Sequence, residues 1–266
     1  MEEVKDPIHV CVGIPYYMHI EPETINCVHA LAEYLPQFKF HLQKNKGSCL
    51  PIVRNGLFDS VKPTDKLFLG MDGDIYFTPD EFLKLYNNMI EYELNIIFGA
   101  YEHKFNETSF VGGMFTDKAE GDVDLDQQTP NKDQGCIPVD WAGTGLFLMY
   151  TSLIPELQGG YFSSPRIQVG DNAWKTVPED VGFCMLLRKK KISFLLDTSL
   201  KIYHINRSDE LHIKEKEDKI RIVLPKKFIP QLIKSLGTLP FNDVAQTIKD
   251  IHTQISIQQS VETSKI

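Results

Sequence analysis

The sequence predicts an α/β fold in which helices flank a mostly parallel central sheet. Short apolar runs alternate with helical segments from residue 8 to residue 205, and this alternation is typical of the units that build a parallel sheet. The first two runs, residues 8–14 and 38–42, enclose an amphipathic helix over residues 23–35. With 266 residues, 42% of them hydrophobic, the chain is long enough to bury a complete core.

Each early element has a local signal. Residues 8–14 are rich in β-branched side chains, which predicts a buried strand, and Pro15-Tyr16-Tyr17 then ends that strand in a loop. Pro36 ends the following helix. The apolar face of that helix consists of Ile25, Val28, Leu31 and Leu35.

The alternation continues through the middle of the chain. An apolar run over residues 65–71 predicts a strand, and Thr78-Pro79-Asp80-Glu81 then forms a capping box with proline at the first helical position. The later predicted elements are strands over residues 95–101 and 145–150, a helix over residues 178–191, and strands over residues 192–196 and 200–205.

One acidic segment interrupts this pattern. Residues 116–135 are polar and show no periodicity, so we expect a mobile loop or lid at one edge of the domain. Asp122, Asp124 and Asp126 have the alternate-residue spacing of an EF-hand loop, but Gln127 stands where that loop requires glycine. We therefore interpret the segment as solvated and not as a calcium site.

The chain is expected to comprise two parts. A core domain spans residues 1–207, and a C-terminal helical extension spans residues 208–266, where apolar residues recur at helical spacing. Helices of this kind pack on the core or on a second copy of the chain, so the extension is a candidate surface for forming a homo-oligomer.

Composition narrows the compartment and the partners. The formal net charge of −8 argues against binding nucleic acid or anionic lipid through the whole surface. The five cysteines are far apart in the sequence, and most of them lie in apolar segments. This pattern favours reduced thiols in a cytoplasmic protein. The N-terminal segment does not resemble a signal peptide, and no apolar run is long enough to span a bilayer.

The motif that carries chemistry is Asp72-Gly73-Asp74, placed at the carboxyl end of an apolar strand. Open α/β sheets bind their ligands at that end. Two carboxylates there can hold a hard divalent cation, which neutralises the charge of a departing diphosphate, and the glycine lets the backbone approach the phosphates. Because such turns are rich in Asp and Gly for structural reasons, the motif alone does not establish a site.

Further motifs follow in a defined order. They are Pro15-Tyr16 after the first strand, Asp72-Gly73-Asp74, Trp141-Ala142-Gly143-Thr144-Gly145, Pro178-Glu179-Asp180 and Tyr203-His204. In this set the chain resembles the GT-A glycosyltransferases, especially the inverting branch and its compact phage and archaeal-virus members. The resemblance extends from Val10 to His204 and implies a GT-A, Rossmann-like sheet that binds a nucleotide-sugar donor.

The resemblance also implies roles for the acidic residues. Asp74 binds the metal directly, Asp72 contacts the ribose or a metal-bound water, and His204 supplies a nitrogen ligand, which favours Mn²⁺ over Mg²⁺. In an inverting transfer, Asp180 is the base that takes the proton of the acceptor hydroxyl. Glu179 then binds the acceptor or acts as a reserve base.

Other motif residues are expected to contact the substrates. The residues placed against the donor are Pro15, Tyr16, Arg54 and Gly73, and a guanidinium suits a diphosphate. Trp141 is expected to stack on a sugar, while Gly143, Thr144 and Gly145 line the cleft for sugar and acceptor.

The predicted reaction is transfer of a sugar from a nucleoside diphosphate sugar, with UDP as the default nucleotide. The acceptor is a hydroxyl of a carbohydrate, a lipid-linked molecule or a protein. A retaining transferase remains an alternative, as does a non-catalytic scaffold, although both acidic pairs are retained. A sugar-phosphate nucleotidyltransferase is a third alternative, but Pro15-Tyr16-Tyr17 stands where its glycine-rich phosphate loop is expected.

Overall fold

A seven-stranded mixed sheet forms the centre of the fold. The structure is a computed structural model, and it describes residues 6–103, 106–117, 123–126, 134–158, 160–168 and 174–205. The strands of this sheet are β1 (Ile8–Tyr16), β2 (Phe38–Lys46), β3 (Leu67–Met71), β5 (Ile96–Gly99), β10 (Cys136–Pro138), β12 (Leu146–Tyr150) and β15 (Leu195–Asp197). The helices are α1 (Pro22–Tyr34), α2 (Leu50–Asp59), α3 (Pro79–Glu91), α4 (Leu153–Leu157) and α5 (Glu179–Lys189). The short strands outside the sheet are β4 (Ile75–Tyr76), β6 (Glu102–His103), β7 (Asn106–Phe110), β8 (Gly112–Asp117), β9 (Val123–Asp126), β11 (Trp141–Ala142), β13 (Arg166–Gln168), β14 (Trp174–Thr176) and β16 (Tyr203–His204).

Most strands of the sheet are parallel. The order across the sheet is β10-β15-β5-β12-β3-β1-β2. β1 is parallel to β2 and β3, β5 is parallel to β15, and β12 runs antiparallel between β3 and β5. β10 is antiparallel to β15 at the edge. The carboxyl ends of the five parallel strands therefore lie at one edge, and β12 begins at that same edge.

The core has two layers because alternate residues of each strand point to opposite faces of the sheet. Val10, Val12 and Ile14 of β1 pack on one face with the apolar sides of α1 and α3. Cys11 of the same strand packs on the other face with residues of α2, α4 and α5. This helix–sheet–helix arrangement confirms the predicted α/β class.

The N-cap half of the predicted capping box is confirmed. Thr78 is the N-cap of α3, and its hydroxyl accepts a hydrogen bond of 3.4 Å from the backbone N–H of Glu81. Pro79 occupies the first turn, where its missing N–H costs nothing. The polar cap and the apolar spacing agree here, which is why the sequence located this helix within a residue.

Helix α2 is not among the predicted elements. It begins at Leu50 with Pro51 in its first turn, and its N-cap residue Cys49 makes no side-chain cap. Only ten residues long and interrupted by Gly56, the helix offers too short a window for apolar periodicity to stand out.

The prediction that residues 116–135 form a loop is wrong for part of this segment. β8 extends to Asp117 and pairs antiparallel with β9, so that Phe115 lies opposite Leu125. In β9, Val123 and Leu125 alternate with acidic residues, which is the two-residue period of a strand. Residues 118–122 and 127–133 lie outside the described residues.

The predicted C-terminal extension over residues 208–266 lies outside the described residues, and so does its suggested role in a homo-oligomer. Across the residues that the structure does describe, every helix is too short or too polar to cross a bilayer.

Candidate active site

The carboxyl edge of the sheet brings two of the predicted motifs together. Leu146, the first residue of β12, lies in register with Met71, the last residue of β3. Asp72 follows Met71, and Gly145 precedes Leu146. The N–H of Asp72 donates a 2.9 Å hydrogen bond to the carbonyl of Gly145. Antiparallel pairing of β3 and β12 therefore sets the acidic motif directly beside the glycine-rich segment.

The turn over residues 72–74 is held in place by the start of α1. The backbone N–H of Glu21 donates to the carbonyl of Gly73 at 2.7 Å. The buried hydroxyl of Thr24 lies 3.1 Å from that carbonyl and 2.9 Å from the carbonyl of Ile75. These bonds fix the backbone between the two acids and so restrict where the carboxylates of Asp72 and Asp74 lie.

Arg54, which is only 6% exposed, joins four segments of the chain. Its Nη2 donates to Asp72 Oδ1 at 2.7 Å, and its Nη1 donates to the carbonyl of Thr144 at 3.0 Å. Its Nε lies 3.7 Å from Glu179 Oε1, and its Cζ lies 5.7 Å from the centre of the Phe162 ring. One buried guanidinium thus connects the acidic turn after β3 to the acidic start of α5.

Asp180 occupies the first turn of α5, where its Oδ1 accepts a 2.7 Å hydrogen bond from the N–H of Val181. The pKa of Asp180 is raised to about 6, chiefly by burial and in part by the negative charges of Glu179 and Asp72, while the Val181 N–H and Arg54 oppose the rise. A carboxylate with a pKa near neutrality is suited to accept a proton in a reaction.

Burial also raises the pKa of Asp72, and Asp74 adds to the rise, while the Arg54 guanidinium opposes it. The side chain of Asp72 nevertheless remains 28% exposed. It can therefore bond to Arg54 with one oxygen and present the other side of the carboxylate to a ligand.

Asp74 and His204 meet where β4 pairs with β16. The N–H of Ile205 donates to the carbonyl of Asp74 at 2.7 Å, and His204 Nε2 lies 3.2 Å from Asp74 Oδ2. The Tyr101 ring packs nearly perpendicular to the imidazole, with the ring centres 5.7 Å apart. The structure thus brings together two of the three predicted metal ligands, while Asp72 bonds to Arg54.

The glycines of the Trp141–Gly145 motif serve a purpose that the sequence did not indicate. They were expected to leave room for the donor, but Tyr101 fills that room. A Cβ on Gly145 would lie 2.5 Å from Tyr101 Cζ, and one on Gly143 would overlap the tyrosine hydroxyl. The N–H of Gly145 donates to the Tyr101 hydroxyl at 3.1 Å. Burial raises the pKa of Tyr101, so this hydroxyl stays protonated.

Trp141 is 4% exposed and packs in the core beneath the sheet, so its indole face is not open to stack on a sugar. The expected stacking role is therefore wrong for Trp141, because its side chain packs in the hydrophobic core with residues of α4 and α5. Thr144 is also buried, and it serves the site through its backbone carbonyl, which binds Arg54.

Pro15 and Tyr16 close β1 at the same edge of the sheet as Asp72, because β1 and β3 are parallel. Pro15 is buried, whereas Tyr16 is half-buried and its carbonyl accepts a 3.1 Å hydrogen bond from the N–H of Gly47. Their location fits the predicted contact with a donor, and the contact itself stays a prediction.

Asn55 and Phe162 belong to the site although the sequence did not point to them. The Asn55 amide donates to the carbonyl of Phe162 at 3.0 Å and accepts from its N–H at 2.8 Å. This two-bond clamp places the Phe162 ring beside the Arg54 guanidinium. A lone Asn and a lone Phe, far apart in sequence, give no local signal of such a pairing.

The chain matches no family model and no curated protein sequence. Its fold is similar to that of A197 from STIV, with 14% identity, a TM-score of 0.51, and alignment over 74% of this chain and 86% of that one. At this identity the likeness shows the fold alone.

Two further solved structures align less closely. One is Drosophila β1,4-galactosyltransferase 7 in complex with manganese, UDP-Gal and xylobiose, with 12% identity, a TM-score of 0.45, and 81% of this chain and 77% of that one covered. The other is 4-diphosphocytidyl-2C-methyl-D-erythritol synthase from Anaerococcus prevotii, with 13% identity, a TM-score of 0.44, and 78% and 97% covered. TM-scores below 0.5 are too low to indicate a function. The seven-stranded, mostly parallel sheet agrees with the predicted GT-A, Rossmann-like architecture.

Proposed function

We propose that this protein is a metal-dependent glycosyltransferase, which moves a sugar from a nucleoside diphosphate sugar to an acceptor hydroxyl. The observation that carries the proposal is the pair of contacts made by Arg54, to Asp72 and to Glu179. Two acidic motifs that are distant in sequence thereby share one site at the ligand-binding edge of an α/β sheet. UDP remains the favoured nucleotide.

The metal-binding part of the proposal rests on Asp74 and His204. A carboxylate oxygen and an imidazole nitrogen 3.2 Å apart form a donor set that suits Mn²⁺, with Mg²⁺ as the second choice. Both side chains are partly exposed, so a cation and a donor can reach them. When bound, the cation supplies positive charge next to the departing diphosphate.

Arg54 is proposed as a positioning residue rather than a direct diphosphate ligand. Two of its nitrogens already donate to Asp72 and to the Thr144 carbonyl, and its side chain is buried. It holds the Asp72 carboxylate toward the ribose side of the donor and keeps Glu179 beside the acceptor. Pro15, Tyr16 and Gly73 then remain the proposed donor contacts.

Asp180 is the proposed base of an inverting transfer. The acceptor oxygen attacks the anomeric carbon, the bond from that carbon to the diphosphate oxygen breaks, and the hydroxyl proton moves to the Asp180 carboxylate. The raised pKa of Asp180 matches this task, because the carboxylate is ionised at neutral pH and binds a proton more tightly than an ordinary aspartate does. A product whose anomeric configuration is inverted relative to the donor supports this role. A product with retained configuration indicates a different mechanism.

The test is release of nucleoside diphosphate from a panel of UDP-, GDP- and dTDP-sugars, with Mn²⁺, Mg²⁺ or a chelator. We expect metal-dependent release from one donor, abolished in Asp74→Ala and retained in Asp80→Asn, a control on the exposed start of α3. Release that survives chelation, or that Asp74→Ala leaves intact, contradicts the metal assignment. Absence of both release and donor binding favours a non-catalytic scaffold, and pyrophosphate released from a nucleoside triphosphate favours a nucleotidyltransferase.

A further inference from the structure

A second cluster of metal-ligating residues lies outside the candidate active site. One ligand atom each from Cys11, His41 and Asp65 lie within 4.8 Å of one another. Cys11 and His41 face each other in register on β1 and β2, and Asp65 precedes β3. In the part of the chain that the structure describes, this is the one group of three such residues so closely gathered.

The cluster is separate from the active site. Asp65 precedes β3 and Asp72 follows it, so the two carboxylates lie at opposite ends of one strand. At a rise of roughly 3.3 Å per residue, they are about 20 Å apart. No residue of the proposed transfer reaction belongs to the cluster, and the active-site proposal neither requires nor explains it.

Two polar atoms in the cluster are not satisfied by hydrogen bonds. The Asp65 side chain is fully buried, and only its Oδ2 accepts a bond, at 2.8 Å from the N–H of Lys62. Within the described residues, Asp65 Oδ1 and His41 Nε2 have no hydrogen-bond partner. His41 Nε2 and Asp65 Oδ2 are 3.4 Å apart. Leaving a buried polar atom unpaired costs about 1–3 kcal/mol, so such atoms usually face a ligand, an ion or a water.

From this geometry we propose that Cys11, His41 and Asp65 bind a thiophilic divalent cation, with Zn²⁺ as the best match. Thiolate sulfur, imidazole nitrogen and carboxylate oxygen are the three ligand types of protein zinc sites. One thiolate and one carboxylate balance the two positive charges, so the complex is neutral and can be buried. The fourth position of the tetrahedron goes to water or to His9, which precedes Cys11 by two residues on the same face of β1.

The binding step balances without a further reagent. The S–H bond of Cys11 breaks, the proton passes to solvent, and a metal–sulfur bond forms. His41 donates the lone pair of Nε2 and keeps its proton on Nδ1. Its side chain is 23% exposed, whereas Cys11 and Asp65 are fully buried, so the cation enters past the imidazole.

A cysteine-nucleophile triad is the obvious alternative for these residue types, and the geometry opposes it. Cys11 is fully buried, so a substrate cannot reach its sulfur. Burial raises the pKa of Cys11 to about 12, so without a metal the group is an unreactive thiol.

A cation at this position has a structural consequence. It joins β1, β2 and the turn before β3, at the sheet edge opposite the active site. Because the unfolded chain does not hold these ligands together, binding stabilises the folded state. The expected role is therefore structural, and catalysis in the proposed reaction does not depend on it.

The experiment is a titration of the metal-stripped full chain with Co²⁺, which reports a cysteine ligand through thiolate-to-metal charge-transfer absorption. We expect one equivalent to produce this band, Zn²⁺ to displace Co²⁺ and abolish it, and Zn²⁺ to raise Tm. Cys11→Ser removes the band and weakens Zn²⁺ binding by more than about tenfold. Two controls keep the band: Cys49→Ser, which removes an exposed thiol, and Asp74→Ala, which removes the active-site ligand.

A second variant keeps the test decisive if Cys11→Ser does not fold. His41→Gln alters a partly exposed residue, and we expect it to fold, to weaken Zn²⁺ binding at Cys11 and to reduce the rise in Tm to the part that Asp74 and His204 supply. The proposal is overturned if wild type gives no thiolate band, if the band depends on Cys49, or if His41→Gln binds Zn²⁺ as tightly as wild type. Each of these results is independent of any glycosyltransferase activity.

Discussion

Asp180 and Asp80 occupy equivalent positions at the starts of two helices, the second residue of α5 and of α3. Asp80 is exposed, whereas Asp180 is partly buried beside Glu179 and Arg54. Burial raises the pKa of Asp180 to about 6, although the helix start alone would favour its charged form. Comparing Asp180 with Asp80 therefore separates the effect of burial in the active site on the carboxyl pKa from the effect of the helix start.

We expect Asp180→Asn to abolish transfer and to stabilise the fold. The folded pKa of about 6 lies above the ordinary value of 3.8, so folding disfavours the carboxylate at neutral pH. An amide carries no charge to desolvate and can still accept from the Val181 N–H. Urea unfolding at neutral pH should show a gain of about 1–3 kcal/mol. Asp80→Asn is the control, and an equal gain there would contradict the explanation.

The same raised pKa predicts the pH dependence of transfer. The base must be ionised, so kcat/KM should fall as the pH decreases through about 6 and should level off above it. The stability contribution of Asp180 has the opposite sign: it improves as the pH falls from 6 toward 3.8, because the folded state takes up the proton first. Proteins are generally most stable between about pH 5 and 8, so kcat/KM can be measured across this range. If kcat/KM is constant over the range, a residue other than Asp180 is the base.

Arg54 is expected to be the residue whose loss most damages the site. Arg54→Met leaves Asp72 and Glu179 without their shared cation, and breaking such a buried pair costs about 3–5 kcal/mol. Arg166 provides a matched control, since it also lies over an aromatic ring, 5.9 Å from the centre of Trp174, but is exposed. Arg166→Met should cost less than about 1 kcal/mol in urea unfolding. Similar losses in the two variants would show that Arg54 does not organise the site.

At the scale of elements, local signals determined what the sequence could predict. Thr78 and Pro79 mark the start of α3, so the sequence located the start of that helix within a residue. The residues that α2 contributes to the site, Arg54 and Asn55, lie in a helix without such a cap. The acids were found because they adjoin strand and helix ends. Tyr101 was missed because its role depends on the insertion of β12 beside β3 and β5, a long-range pairing with no local signature.

Packing between elements gives the next prediction. Tyr101 lies against the start of β12, so Gly145→Ala should force the ring away and destabilise the fold by about 1–3 kcal/mol. At Gly73 the nearest atom to an added Cβ is Ile20 Cα at 3.5 Å, an ordinary contact. Gly73→Ala should therefore change the free energy of unfolding by less than about 0.5 kcal/mol. Equal losses in thermal unfolding would show that Tyr101 does not require the glycine.

At the scale of the whole molecule, binding of the donor nucleotide should stabilise the fold. The proposed donor contacts come from separate segments, Pro15 and Tyr16 from the end of β1 and Asp72 and Asp74 from the turn after β3, so a donor that engages both segments opposes their separation on unfolding. At one hundred times Kd, UDP with Mn²⁺ should add about 2.7 kcal/mol, measured as a rise in Tm. Asp74→Ala should lose the Mn²⁺-dependent part of this rise. A rise that does not depend on the metal would remove Asp74 from the donor site.

β12 lies between β3 and β5, although it follows both of them in the chain. During synthesis, β3 therefore leaves the ribosome with one edge paired to β1 and the other edge bare until residues 146–150 emerge. All five residues of β3 are buried in the finished fold, so this bare edge is both apolar and open to pairing with another chain. The centre of the sheet is thus completed late, and the apolar edge of β3 is open to pairing with other chains while β12 is being made.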